Sequence, residues 1–153
     1  MISLRESALR LIAVKDRTEK EIRDRLLEKG YNADEIESEI QFLKEYNYIN
    51  DLRYCEHFAN DCVNLKKWGK ARIKAELIRK GIDREMAENA AEEASSESDD
   101  IVLSQMQKRF KDADMGNPKE RARIFGYFAR RGFSPEEIKG AMNKVSSFRD
   151  IEE

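Results

Sequence analysis

The chain has 153 residues, 39% of them charged and 40% hydrophobic, with a mean hydropathy of -0.80. That apolar share is too high for a disordered chain, and no apolar run approaches the roughly 18 residues of a membrane span. The 29 basic and 31 acidic residues leave a net charge of -2, so overall charge predicts no affinity for nucleic acid.

Helix signals follow one another along the whole chain. Ser3-Leu4-Arg5-Glu6 reads as a capping box, and Leu4, Ala8, Leu11 and Ile12 then recur at helical spacing. Thr18-Glu19-Lys20-Glu21 opens a second helix through Ile22 and Leu26, which stops at Gly30. Asn32-Ala33-Asp34-Glu35 opens a third, with Ile36, Ile40 and Leu43 on one face. Cys55, Phe58, Ala59 and Cys62 mark the fourth helix, Ile73 and Leu77 the fifth, and Met86 and Ala90 the sixth. The sixth is alanine-rich, and Ser95 to Asp100 reads as a hinge after it. Val102, Met106 and Phe110 define the seventh helix, and a second soft point falls at 111–117. Asn117-Pro118-Lys119-Glu120 and Ser134-Pro135-Glu136-Glu137 open the last two, with both prolines in the first turn, where a missing N–H costs nothing. The ninth helix carries Ile138, Met142 and Val145 on its apolar face. No segment has the period of a β-strand.

Repetition organises these helices. Glu21–Gly30 (EIRDRLLEKG), Arg72–Gly81 (RIKAELIRKG) and Arg123–Gly132 (RIFGYFARRG) end in glycines 51 residues apart. Ile22, Ile73 and Ile124 stand eight residues before the glycine, and Leu26, Leu77 and Phe128 four before. A basic residue immediately precedes it (Lys29, Lys80, Arg131), and Tyr31, Ile82 or Phe133 follows. Apolar positions one turn apart share a face, the basic residue meets the negative end of the helix dipole, and glycine supplies a left-handed stop. The pattern predicts an all-α protein of three tandem three-helix repeats, over residues 1–48, 49–96 and 97–148, in an elongated, curved array. Ile36 and Ile138 both lie six residues past their glycines, whereas Met86 lies five past Gly81, so the sixth helix is expected one residue out of step.

Charge is segregated along the chain. Residues 65–84 carry eight basic against two acidic residues, and residues 108–132 eight against three. Residues 85–100 hold seven acidic residues and no basic one. Two readings of the basic segments stand: solvated helix faces with internal ion pairs, or a stripe that attracts phosphates or an acidic protein surface. Recurrence in two units favours the stripe. Trp68, set among Lys66, Lys67 and Lys70, either stacks on a partner or plugs a junction between helices, and the plug is favoured.

Cys55 and Cys62 lie seven residues apart in what reads as one helix, about 10.5 Å along its axis and beyond the roughly 7 Å reach of a disulfide. Reduced, packed thiols in a soluble cytoplasmic protein are expected. His57 is the single histidine and has no Cys-x-x-Cys pair beside it, so no zinc site, other metal or cofactor is expected. Phosphate-cradling glycine loops are absent and a lone histidine leaves no triad. The chain reads as a non-enzyme.

Tyr48-Ile49-Asn50-Asp51-Leu52-Arg53-Tyr54, then Phe58, then Gly69-Lys70-Ala71-Arg72-Ile73-Lys74-Ala75-Glu76-Leu77-Ile78-Arg79-Lys80-Gly81-Ile82, resembles the signature of the RecX family. Arg17–Gly30 is similar to that family's first unit, and Arg130-Arg131-Gly132-Phe133-Ser134 to its last, so the resemblance runs from about residue 4 to residue 145. Two departures are visible: Lys70 where the family usually has proline, and Asp61-Cys62-Val63-Asn64 where it tends to carry an arginine. The resemblance implies a monomeric cytoplasmic protein, without membrane contact, that binds the RecA recombinase filament on single-stranded DNA. It would restrain ATP turnover, strand exchange and co-protease activity in DNA repair and the SOS response. Beside that implication the two basic segments leave direct DNA binding open, expected to be weak at a net charge of -2, and the repeat architecture leaves open a scaffold for another protein. Asn50, Asp51, Arg53, Gly69, Arg72, Ile73, Glu76, Leu77, Lys80 and Gly81, with Gly30 and Gly132, are expected to build the units. Lys66, Lys67, Trp68, Lys70, Lys74, Arg79, Arg130 and Arg131 are the candidate partner contacts.

Overall fold

The computed structural model describes residues 1–96 and 98–152, and among them the fold is helical throughout. The helices are α1 (Leu4–Val14), α2 (Glu19–Glu28), α3 (Ala33–Glu45), α4 (Asp51–Asp61), α5 (Lys70–Arg79), α6 (Arg84–Ala94), α7 (Ser98–Arg109), α8 (Pro118–Arg130) and α9 (Pro135–Glu152). A single π turn, Cys62–Lys66, extends α4. It keeps Cys62 and Val63 in the core and ends in Lys67, whose φ of 57° is left-handed.

Each unit closes its own core. In the first, Ala8 and Leu11 from α1 pack with Ile22 and Leu26 of α2 and with Ile36, Ile40 and Leu43 of α3. Cys55, Ala59, Cys62, Ile73, Leu77 and Ala87 form the second, and Val102, Met106, Ile124, Phe128, Ile138 and Met142 the third. Both cysteines are free and buried, as expected from their spacing.

The three glycine stops are the same physical object. Gly30, Gly81 and Gly132 have φ of 93°, 94° and 95°, which a side chain would resist. After each, the next residue's N–H returns to the carbonyl of the apolar residue four before the glycine: Tyr31 to Leu26, Ile82 to Leu77 and Phe133 to Phe128, at 3.3, 3.0 and 3.2 Å. The glycine's own N–H donates to Leu27, Ile78 or Ala129 at 3.0 Å, and this double wrap satisfies carbonyls that a helix end otherwise leaves unpaired. Asn47 plays the glycine's part at the end of α3, with φ of 59°.

Start signals are realised too. Ser3, Thr18, Asn32, Asn117 and Ser134 each accept a first-turn N–H through their side chains. The third helices start in register, on Asn32, Asp83 and Ser134, each two residues past its glycine.

That register corrects the expectation for α6. Six residues past Gly81 stands Ala87, fully buried where Ile36 and Ile138 sit in the other units. The helix is not out of step. Met86 is bulkier but only half-buried. The segment 111–117 is tied down: Arg149 donates to the carbonyls of Phe110 and Lys111 at 2.9 Å and also to that of Ala113, and Arg121 donates to Met115 at 3.0 Å. Of the expected hinge, Ser95 and Ser96 form a turn, while Glu97 lies outside the described residues.

Two stability measurements follow. A Cβ at Gly30 meets nothing within 4 Å, so Gly30→Ala should cost only the left-handed strain, about 1–2 kcal/mol. At Gly132 a Cβ would lie 2.5 Å from the backbone N and Cβ of Arg72, so Gly132→Ala should lower the urea midpoint clearly further. Equal losses would contradict the packing. Burial pushes the Cys55 and Cys62 thiols up to about 11. The unfolded thiols ionise near pH 8.5, so their contribution is complete below that pH and is lost as pH rises towards about 11. Denaturant unfolding between pH 8 and 11 should show this fall, and Cys55→Ala with Cys62→Ala should flatten it.

Candidate partner-binding surface

The units join through the ends of their middle helices. At the first junction the end of α5 abuts the start of α2. Thr18 caps α2 by accepting the Glu21 N–H at 3.2 Å, and its hydroxyl donates to the Lys80 carbonyl at 2.7 Å. The Glu19 N–H donates to the Asp51 carboxylate at 2.9 Å, and burial holds that carboxyl above its ordinary range. Lys80 Nζ sits 3.9 Å from Glu21 and 5.5 Å from the centre of the Phe58 ring. A Cβ on Gly81 would fall 2.3 Å from the Cβ of Lys20, so only glycine lets the two helix ends approach this closely.

The second junction is tighter. Gly69 starts α5 with no side-chain cap, and the end of α8 supplies what is missing. The Gly69 N–H donates to the Arg131 carbonyl at 2.6 Å, the Ala71 N–H to Gly132 at 3.3 Å, and the Arg72 guanidinium to Arg130 at 3.4 Å. Unpaired amides of one helix meet unpaired carbonyls of another, and the positive start of α5 faces the negative end of α8. A Cβ on Gly69 would stand 2.4 Å from the Gly132 carbonyl group, which explains that glycine as well.

The structure sorts the eight sequence-selected residues into two groups. Lys74 is paired with Glu88 at 3.3 Å and Arg79 with Glu76, so both are neutralised locally, as is Lys80 by Glu21. The other six gather at the second junction. Trp68 is half-buried there, with Lys66 Nζ 4.6 Å and the Arg72 guanidinium 4.0 Å from its ring centre. Arg131 lies 3.5 Å from the centre of the Tyr127 ring and donates to the Tyr127 carbonyl at 3.0 Å. Lys70 and Arg130 are exposed, and Lys67 is half-buried on its left-handed backbone. Among the described residues none of Lys66, Lys67, Lys70, Arg72, Arg130 and Arg131 forms an ion pair with a carboxylate.

Two members of this strip were missed in the sequence. Arg109 lies 5.4 Å from the Tyr127 ring centre, so Tyr127 is flanked by cations from α7 and from the end of α8. Tyr127 and Arg131 are four residues apart on one helix, a spacing that brings side chains together, so that pair was legible. Arg109 reaches the ring only through the tertiary fold. The strip therefore runs from Lys66 over Trp68, Arg72, Arg130 and Arg131 to Tyr127 and Arg109. Chemically it offers cations backed by aromatic rings, suited to carboxylate or phosphate oxygens. Among the described residues no His, Cys, Asp and Glu cluster could hold a metal ion, and no helix is long and apolar enough to cross a membrane.

The single tryptophan reports on this junction. Arg72→Ala removes both the ring contact and the bond to Arg130, and should cost about 1–2 kcal/mol. Trp68 emission should shift to the red in the folded protein. An unchanged spectrum with unchanged stability would contradict the junction as described.

Comparison with known proteins matches the three units in order. Family models described as the first, second and third three-helix domains of RecX match residues 5–43, 50–90 and 97–142. The chain is 34% identical over 145 residues to the regulatory protein RecX of Clostridium beijerinckii, covering 92% of this chain and 67% of that one. It is 32% identical over 143 residues to the regulatory protein RecX of Vibrio vulnificus, covering 94% and 93%. The crystal structure of RecX from Lactobacillus salivarius superposes with a TM-score of 0.77 at 24% identity, over 94% of both chains, and shares the fold. A second crystal structure, of a regulatory protein RecX, gives a TM-score of 0.80 at 19% identity over 92% of this chain and 71% of that one.

Proposed function

The chain belongs to the RecX family of regulatory proteins, and on that premise we propose that it binds the RecA recombinase and its filament on single-stranded DNA. Binding restrains the filament's ATP hydrolysis, strand exchange and co-protease activity, and so acts in DNA repair and the SOS response of the cytoplasm. The protein works as a monomer and needs no catalytic group of its own. One observation carries the reading from geometry to function: among the described residues the cations at the junction of the second and third units have no carboxylate partner, while Lys74, Arg79 and Lys80 do. Unpaired cations held by rings are preorganised, so little side-chain entropy is lost when a partner arrives. Lys66, Lys67, Trp68, Lys70, Arg130 and Arg131 are the contacts proposed, joined by Arg72 and Arg109.

The same cations favour a second reading, direct contact with DNA phosphates. The two readings separate by partner. Phosphate contact weakens steeply with added salt, because counterions are released, and it needs no recombinase.

Titrating the chain into RecA, ATP and single-stranded DNA should lower ATP hydrolysis. Arg130→Glu with Arg131→Glu should raise the concentration for half-inhibition about tenfold, as expected for loss of central contact cations. Unchanged hydrolysis with the chain in excess over RecA contradicts the proposal. Salt-sensitive binding to DNA without that inhibition supports direct phosphate contact instead.

A further inference from the structure

The acidic side of the second unit carries a surface that the basic strip leaves unused. A groove of about 600 Å³ opens between α4 and α6. Its floor is apolar, made by Leu52, Met86 and Ala90, and Leu52 is 53% exposed. Five acidic residues line it, Glu56, Asp83, Glu85, Glu92 and Glu93, and no lysine or arginine does. Asp83 is occupied as the cap of α6, accepting the Met86 N–H at 3.3 Å. None of the five is in an ion pair among the described residues, whereas Glu88 on the same helix is held by Lys74.

The floor continues across the junction of the first two units. Leu52 and Met86 also line an adjoining groove of about 330 Å³, together with Ile49 and Asn47. Tyr48, between those two in the chain, is 46% exposed. Lys44, the one cation there, is already 3.4 Å from Glu19. Exposed apolar side chains gathered in a groove with a polar rim mark a contact surface rather than chance exposure. The charge of the rim selects the occupant, since like charges across an interface are costly and opposite ones steer association.

We infer that this groove docks a cationic segment of a protein partner. An apolar anchor of that segment rests on Leu52 and Met86, and flanking Lys or Arg side chains meet Glu56, Glu85, Glu92 and Glu93. Among the described residues no ion pair is broken on docking, because these carboxylates have none there. The rim repels phosphates, so the groove and the basic strip take different ligands. The inference holds whichever protein supplies the segment, and it is independent of the recombinase reading.

The test uses the full chain and a fluorescein-labelled amphipathic helical peptide of leucine and lysine, followed by anisotropy at low salt. Glu92→Lys with Glu93→Lys, and separately Leu52→Ser, should each weaken binding about tenfold, as expected for rim and anchor contacts. All three residues are exposed, so thermal unfolding should remain that of the wild type. Arg130→Glu with Arg131→Glu should leave peptide affinity within about twofold, since the strip lies on another junction. The inference is overturned if the wild type does not bind the peptide, or if both groove variants bind it as the wild type does. It is equally overturned if the chain alone dimerises and Glu92→Lys with Glu93→Lys abolishes the dimer, which would place a second copy in the groove.

Discussion

A helix begins with amides and ends with carbonyls that have no partner inside it, and the assembly of this chain rests on joining those two deficits between units. The end of α8 meets the start of α5, and the end of α5 meets the start of α2, so the middle helices are linked from the third unit back to the first. A glycine stop here thus has one task or two. It terminates its own helix, and at Gly81 and Gly132 its missing side chain admits the neighbouring unit. Gly30, at the outer end, has only the first task. Among the described residues no hydrogen bond or ion pair links the first unit to the third, which is the nearest-neighbour logic of repeat proteins.

The same junctions decide which charges are spent and which are free. At the first junction Lys80 and Glu21 approach each other, and Lys44 and Arg23 share Glu19. At the second, carbonyl oxygens rather than carboxylates meet Arg72 and the amides of α5. Cations there keep their charge and are steadied by Trp68 and Tyr127. A near-neutral chain with pI about 5.7 thereby presents a cationic strip on one junction and a carboxylate-rimmed groove beside the other. Net charge would have hidden both, because fields between exposed charges fade over about 8–10 Å.

Local rules made the fold legible. Equal spacing of three glycines, apolar residues one turn apart and side-chain caps at the starts all act within a few residues, and all appear where the pattern puts them. Reading bulk as the mark of burial failed once, at Met86, because the small Ala87 fills the inward position of α6. The candidate surface was legible only in part. Pairing of Arg79 with Glu76 lies three residues apart and was readable, but Lys74 with Glu88, Arg72 with Trp68 and Arg109 with Tyr127 depend on how helices turn against one another. The lap of α8 on α5 left a single trace in the sequence. Gly69 stands where Thr18 caps the equivalent helix, and a missing cap gives no hint of what replaces it.

Amide hydrogen exchange at Gly69 and Ala71 tests that lap most directly. First-turn amides of a helix ordinarily exchange fast, having no carbonyl to meet. With the Arg131 and Gly132 carbonyls as partners, both should exchange slowly, far slower than the uncapped first-turn amide of Arg5 in α1. Fast exchange at Gly69 and Ala71 in the intact chain would mean that the units are merely tethered, and the account of the assembly would fail.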